Sequence, residues 1–176
     1  MSQAEHSQAK TAEYWKKHLQ LTAHEEGGYF RQIYRSSEQI SDQELSVSFA
    51  GKRLLATSIY FLLPSDEVSH FHRLKSDELW YYHAGSSLTI YIIHEDGRLE
   101  TVKLGLDIEN GEVPQALAPK NSIFGSAVNQ PDTYSLVGCM VSPGFEYEDF
   151  ELFTRNELLE KYPAHEAIIK RLTPDE

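Results

Sequence analysis

SHFHRLKSDELWYYHAG, residues 69–85, reads as two strands joined by a short turn. VSHFH (68–72) alternates small, imidazole and aromatic side chains. DELWYYH (77–83) is aromatic-rich and stops at Ala84 and Gly85. The four residues RLKS (73–76) between them predict a turn that lays the second strand alongside the first. Outward from this pair the pattern repeats. LLATSIYFLL (54–63) ends at Pro64. SLTIYIIH and RLETVKL flank Glu95, Asp96 and Gly97, and Asp-Gly between two strand-like runs marks a hairpin whose tight turn needs positive φ. PQALAP, SIFGSAV, TYSLVGCMV and GFEYEDFEL follow, separated by Pro, Gly or Asn. Short strands at this spacing indicate a sandwich or barrel.

The period changes at both ends. Ala12, Trp15 and Leu19 recur at helical spacing within 9–19. Leu158, Leu159, Tyr162, Ala167, Ile168, Ile169 and Leu172 do so within 155–173, broken by Pro163. The expectation is one all-β domain over 1–176, with the barrel at about 20–152 and short flanking α-helices at both ends. Residues 36–52 read as a polar surface connection.

Composition narrows the function classes. With 176 residues and 40% apolar content the chain can build one sizeable core. A net charge of -11 repels phosphate backbones and anionic lipid, so neither a nucleic-acid polymer nor a membrane is an expected partner. One cysteine, Cys139, excludes an internal disulfide and a thiolate metal cage; its apolar neighbours make it a buried structural thiol. The polar first residues carry no apolar leader core, and 54–63 is half the length of a membrane span, so a soluble cytoplasmic protein is expected. Phosphate-binding loops, dinucleotide glycine signatures and the G-x-S-x-G elbow are all lacking.

Histidine carries the chemistry. His6, His18, His24, His94 and His165 stand singly in polar surroundings and read as surface residues. His70 and His72 are two apart on a strand, so both imidazoles project from one face. Glu78 follows six residues after His72. Two imidazoles and a carboxylate could converge and hold a divalent metal with positions left for substrate. Alternatively, both histidines are half-buried and hydrogen-bonded to carboxylates such as Asp66, Glu67 or Asp77.

HFHRLKSDELWYYHAG (70–85) resembles the first conserved motif of the cupin superfamily, in which two histidines and a glutamate precede a glycine; here these are His70, His72, Glu78 and Gly85. HEEGGYFRQIYRS (24–36), SHFHRLKSDELWYYHAG, LGLDIENGEVPQALAPKNSIFG (104–125) and YSLVGCMVSPGFEYEDFEL (134–152) are similar to the DUF985 (cupin 5) branch of RmlC-like proteins. The resemblance implies a double-stranded β-helix, a jelly roll that usually pairs as a homodimer, with a small-molecule pocket in the barrel mouth. It departs at the second motif. APKNSIF (118–124) puts Asn121 at the glycine, where a left-handed residue is tolerated, and Phe124 at the usual fourth ligand, which Phe cannot be. A metal such as zinc, iron, nickel or manganese would rest on His70, His72 and Glu78 alone, with Gln115 as the residue that could compensate. DUF985 members often keep only the second histidine, here His72, in a ligand-binding role.

Strand parity adds pocket candidates. Trp80 and Tyr82 share the side of Glu78, and aromatic rings beside carboxylate and imidazole suit a sugar or base. In GFEYEDFEL, read as an edge strand, Phe145 and Tyr147 share a face with Asp149 and Glu151. Arg31 and Arg35 could anchor a phosphate or carboxylate. Three readings follow. One is a sugar or sugar-nucleotide epimerase- or isomerase-like pocket with His72 as base, beside Glu78, and a tyrosine such as Tyr82 as acid. The second is a metal-dependent oxygenase or isomerase. The third is a non-catalytic ligand-binding protein.

Overall fold

Side-chain alternation sorts the strands into two sheets in the computed structural model, which describes residues 9–46 and 48–175; His6 lies outside them. Helix α1 (Ala12–His18) leads to strands β1 (Thr22–Ala23) and β2 (Tyr29–Arg35). Strands β3 (Gln39–Ile40) and β4 (Arg53–Leu54) form a ribbon of their own. Then come β5 (Thr57–Pro64), β6 (Val68–Arg73), β7 (Asp77–Gly85), β8 (Leu88–Ile93) and β9 (Leu99–Leu104). Strands β10 (Glu112–Val113), β11 (Gln115–Ala118), β12 (Ile123–Val128), β13 (Tyr134–Ser142) and β14 (Glu151–Leu152) follow, before helices α2 (Arg155–Lys161) and α3 (Glu166–Arg171). One sheet runs β1-β2-β5-β13-β7-β11 and the other β10-β9-β8-β12-β6-β14. The result is the all-β jelly roll with short flanking helices.

Between the sheets lies the main core. Phe61 and Leu63 of β5, Trp80 of β7, and Val137, Cys139 and Val141 of β13 meet Leu88, Ile90 and Ile92 of β8. Each set recurs every second residue, as one buried face of a strand requires. The outer face of the second sheet is apolar too. Phe71, Ile93, Ile123 and Ala127 pack against Leu158, Ile169 and Leu172. The helical period after residue 155 therefore serves to cover this face. A capping box, Thr154 with Glu157, starts α2 there.

The predicted hairpin is present: β8 and β9 pair antiparallel, with Gly97 at φ 84°. Two expectations are corrected. Strand β7 does not lie alongside β6; β6 pairs with β12 and β14, and β7 with β13 and β11, so the 73–76 turn carries the chain from one sheet to the other. And 145–152 is not one edge strand. Tyr147–Asp149 is a 3-10 turn, and only Glu151–Leu152 pairs, with β6. Among the described residues no helix is long and apolar enough to cross a membrane.

Candidate functional site

The barrel mouth holds a cavity of about 180 Å³, and the loop 24–28 delivers its polar floor. Gly27 and Gly28 take φ of 105° and 72°, open to glycine at little cost. A Cβ on Gly27 would sit 2.1 Å from the Val68 carbonyl oxygen, and one on Gly28 2.8 Å from the Phe61 ring. This close approach turns His24 and Glu26 into the barrel, where both line the cavity. Reading His24 as a surface residue is thereby corrected: its side chain is only 7% exposed.

A β-bulge sets the histidines. Phe124 pairs with His72 and Ser126 with Ser69, so two β6 residues oppose the single Gly125. The two-residue period breaks there. Ser69 and His72, three apart, both reach Glu26: Ser69 Oγ donates at 3.0 Å and His72 Nε2 lies at 3.0 Å. His72 Nδ1–H donates to the His70 carbonyl at 2.7 Å, leaving Nε2 to share a proton with Glu26. His70 does not line the cavity, so the same-face expectation for the pair does not hold.

Glu78 arrives from the opposite sheet, 8% exposed, and accepts from Trp80 Nε1 at 3.0 Å. Burial and the Glu26 charge push its carboxyl up to about 8, against the opposing pull of His72. Burial would push Glu26 up as well, but the His72 charge and hydrogen bond outweigh it and hold Glu26 below the usual value. His72 is the mirror case: burial lowers it, while the charge and hydrogen bond of Glu26, with Glu78 behind, lift it above its ordinary value. Burial lowers His24. Below about pH 8 the floor therefore holds a protonated Glu78 next to a Glu26 carboxylate that is hydrogen-bonded to His72.

Phe30, Phe61, Phe145, Tyr147 and Phe150 wall the cavity, with Gln32, Arg35, Thr57, Cys139 and Glu146 among the other lining groups. Of the pocket candidates named from sequence, Arg35, His72, Glu78, Phe145 and Tyr147 line it; Tyr147, 51% exposed, stands at its mouth. Trp80 is buried behind Glu78, and Phe124 is buried with its ring 4.3 Å from His72. The others lie elsewhere. Tyr82 donates its hydroxyl to the Gly85 carbonyl at 2.5 Å and does not line the cavity. Arg31 donates to the Leu19 carbonyl, and Gln115 is exposed on β11 opposite Tyr81. Glu26 was missed because its loop has no strand or helix period; the Gly27-Gly28 doublet after two glutamates was the available signal.

A metal fits this donor set poorly. Among the described residues no group of three His, Cys, Asp or Glu side chains is placed to hold a metal ion. The predicted set of His70, His72 and Glu78 fails because the bulge takes His70 out. His72 Nε2 faces Glu26, and Phe124 fills the place of a fourth ligand.

The profile of the Cupin superfamily (DUF985) matches residues 13–153. The uncharacterized protein YML079W of Saccharomyces cerevisiae is 30% identical over 140 residues, covering 74% of this chain and 69% of its own. Among solved structures, protein SO0799 from Shewanella oneidensis superimposes with a TM-score of 0.85 at 52% identity, over 96% of this chain and 100% of that one. A hypothetical protein from Leishmania major gives 0.86 at 41% identity, over 94% and 100%. Oxalate decarboxylase from Bacillus subtilis shares the fold alone, with a TM-score of 0.53 at 17% identity over 87% of this chain and 37% of that one. The matched span takes in both sheets and every residue of the cavity floor: the chain belongs to the DUF985 family of the cupin superfamily.

Proposed function

We propose that the barrel mouth binds one ring-sized small molecule, a sugar ring being the leading class, and moves a proton on it in the manner of an epimerase or isomerase. The observation that carries this is the floor: two buried carboxyls driven to opposite protonation states around one imidazole. Pairs whose environments push their pKa values apart supply an acid and a base at the same pH. Glu26, kept ionised by His72 and Ser69, is the base; Glu78 is the acid; His72, through Nε2, holds the Glu26 carboxylate in place. Tyr147 replaces Tyr82 as the tyrosine in reach of the ligand. A cavity of about 180 Å³ suits a ring, since one of ~150 Å³ takes benzene. The nucleotide of a sugar nucleotide would have to extend through the mouth.

Incubation with keto- and aldo-sugars in deuterium oxide tests the reading. Solvent deuterium should enter at the carbon beside the carbonyl, and Glu26→Gln should abolish it. Binding without exchange for every sugar tried would leave a ligand-binding protein. The metal-dependent alternative retains only His72 and Glu78 in the cavity. Stoichiometric metal in protein purified without an affinity tag, lost in His72→Ala, would restore it.

A further inference from the structure

The cavity is unevenly charged. Two carboxyls, Glu26 at 7% and Glu78 at 8% exposure, lie on its floor, and Glu146 is a third lining carboxylate. Against them stand two cations. His72 is taken by Glu26 at 3.0 Å, and exposed Arg35 donates to Gln32 at 3.3 Å. Among the described residues, Glu78 has the Trp80 N–H as its hydrogen-bond donor and forms no ion pair. With no cation to pair it, a buried carboxylate is costly, so Glu78 keeps its proton up to about 8; a bound cation would let it ionise and pair. The rest of the wall suits such a guest. Phe145, Tyr147 and Phe150 cluster with centroids 5.0 to 6.2 Å apart and line the same space, as does Phe30. Aromatic faces attract organic cations, most strongly where water is excluded.

We propose that the ligand of this cavity is a ring-sized organic cation, a cyclic ammonium or amino-substituted sugar, whose charge sits between Glu78 and the Phe145–Tyr147–Phe150 wall. This rests on the ring-pocket reading above and narrows it. A phosphorylated guest would meet Glu26, Glu78 and Glu146, and among the described lining cations Arg35 alone is not already paired to a carboxylate.

Piperidinium and tetrahydropyran, a charged ring and its neutral counterpart, separate the possibilities. Each is titrated into the full chain at pH 9, where Glu78 is ionised and piperidine still protonated, and the Trp80 indole N–H resonance is followed by NMR. Piperidinium should bind at least about ten-fold more tightly. The isosteric Glu78→Gln should bring the ratio near one, and Arg35→Gln should strengthen piperidinium binding by about two- to five-fold through removal of a like charge. Tetrahydropyran binding as tightly as piperidinium, or more so, overturns the cation assignment and leaves the ring pocket standing. No response to either ring up to about 100 mM, a range in which a six-atom ring in a fitting pocket should register, overturns both.

Discussion

At neutral pH the Glu78 carboxyl, pushed up to about 8 by burial and the Glu26 charge, keeps its proton in the fold and loses it in the unfolded chain, where 4.5 is ordinary. Between those values the folded state binds the extra proton, so stability falls as pH rises. This contribution is fully present below 4.5 and lost as pH passes through 8. At about 1.4 kcal/mol per pH unit, the difference between 4.5 and 8 amounts to about 5 kcal/mol at most. His72, raised, acts in the same direction from its own ordinary value upward; Glu26, lowered, acts oppositely at the acid end. Glu78→Gln should therefore match or trail the wild type at pH 5 and exceed it in Tm at pH 9. Parallel Tm–pH curves for the two proteins would show that Glu78 is not a buried acid. Sequence pointed to Glu78 and His72 through their spacing. It could not show that Glu26, 46 residues before His72 in the chain, would sit on the same imidazole. That contact depends on the backbone of two glycines pressing against β5 and β6. Gly27→Ala should cost more than about 1 kcal/mol in urea unfolding and displace Glu26, because its Cβ meets backbone rather than a movable side chain.

The segment 145–150 is a strap across the mouth, and a distant element pins it. Arg53 of β4, 3% exposed, forks onto Asp149 at 2.7 and 2.9 Å and reaches Glu148 at 2.8 Å. Its remaining nitrogen, Nη1, donates to the carbonyls of Ala50, Gly51 and Lys52. Among the described residues, Arg53→Met would leave Asp149, 7% exposed, with Lys75 at 3.8 Å as its one cationic partner. Stranding a buried charge costs about 3–5 kcal/mol, whereas replacing both partners by apolar residues is often close to neutral. Urea unfolding should show that loss for Arg53→Met and recovery of most of it in Arg53→Met/Asp149→Leu. Equal losses in the single and double variants would mean that the pair does not hold the strap. Strands β5 to β9 were legible from alternation and turns. The strap was not, because GFEYEDFEL has strand composition while its shape is set by an arginine 96 residues away from Asp149. The crossing from β6 to β7 escaped for a related reason: turn residues show where a chain reverses, not which sheet it enters.

On the scale of the whole molecule, the first sheet has an unfinished edge. Strand β1 pairs with only Tyr29 and Phe30 of β2, leaving Arg31–Arg35 open on that side, with Ile33 and Tyr34 each 51% exposed. Open edges carrying apolar side chains recruit further strands unless charge or proline blocks them; β2 has no proline, and its charges, Arg31 and Arg35, flank the apolar Ile33 and Tyr34. The jelly roll and its family were readable because motifs spread over nearly the whole chain agreed; an interface leaves no such repeated pattern, since one face of one strand suffices. We propose that two copies pair through β2 into a homodimer. Gln32 and Arg35 on this strand line the cavity, which places the second copy beside the mouth. Each copy carries a net charge of -11, so raising salt from about 20 to 200 mM should tighten the pairing by screening the repulsion. Sedimentation equilibrium at tens of micromolar should give twice 20.1 kDa for the wild type and the monomer mass for Ile33→Asp/Tyr34→Asp. A wild-type monomer would sink the proposal, and a dimer that survives both aspartates would move the interface off the β2 edge.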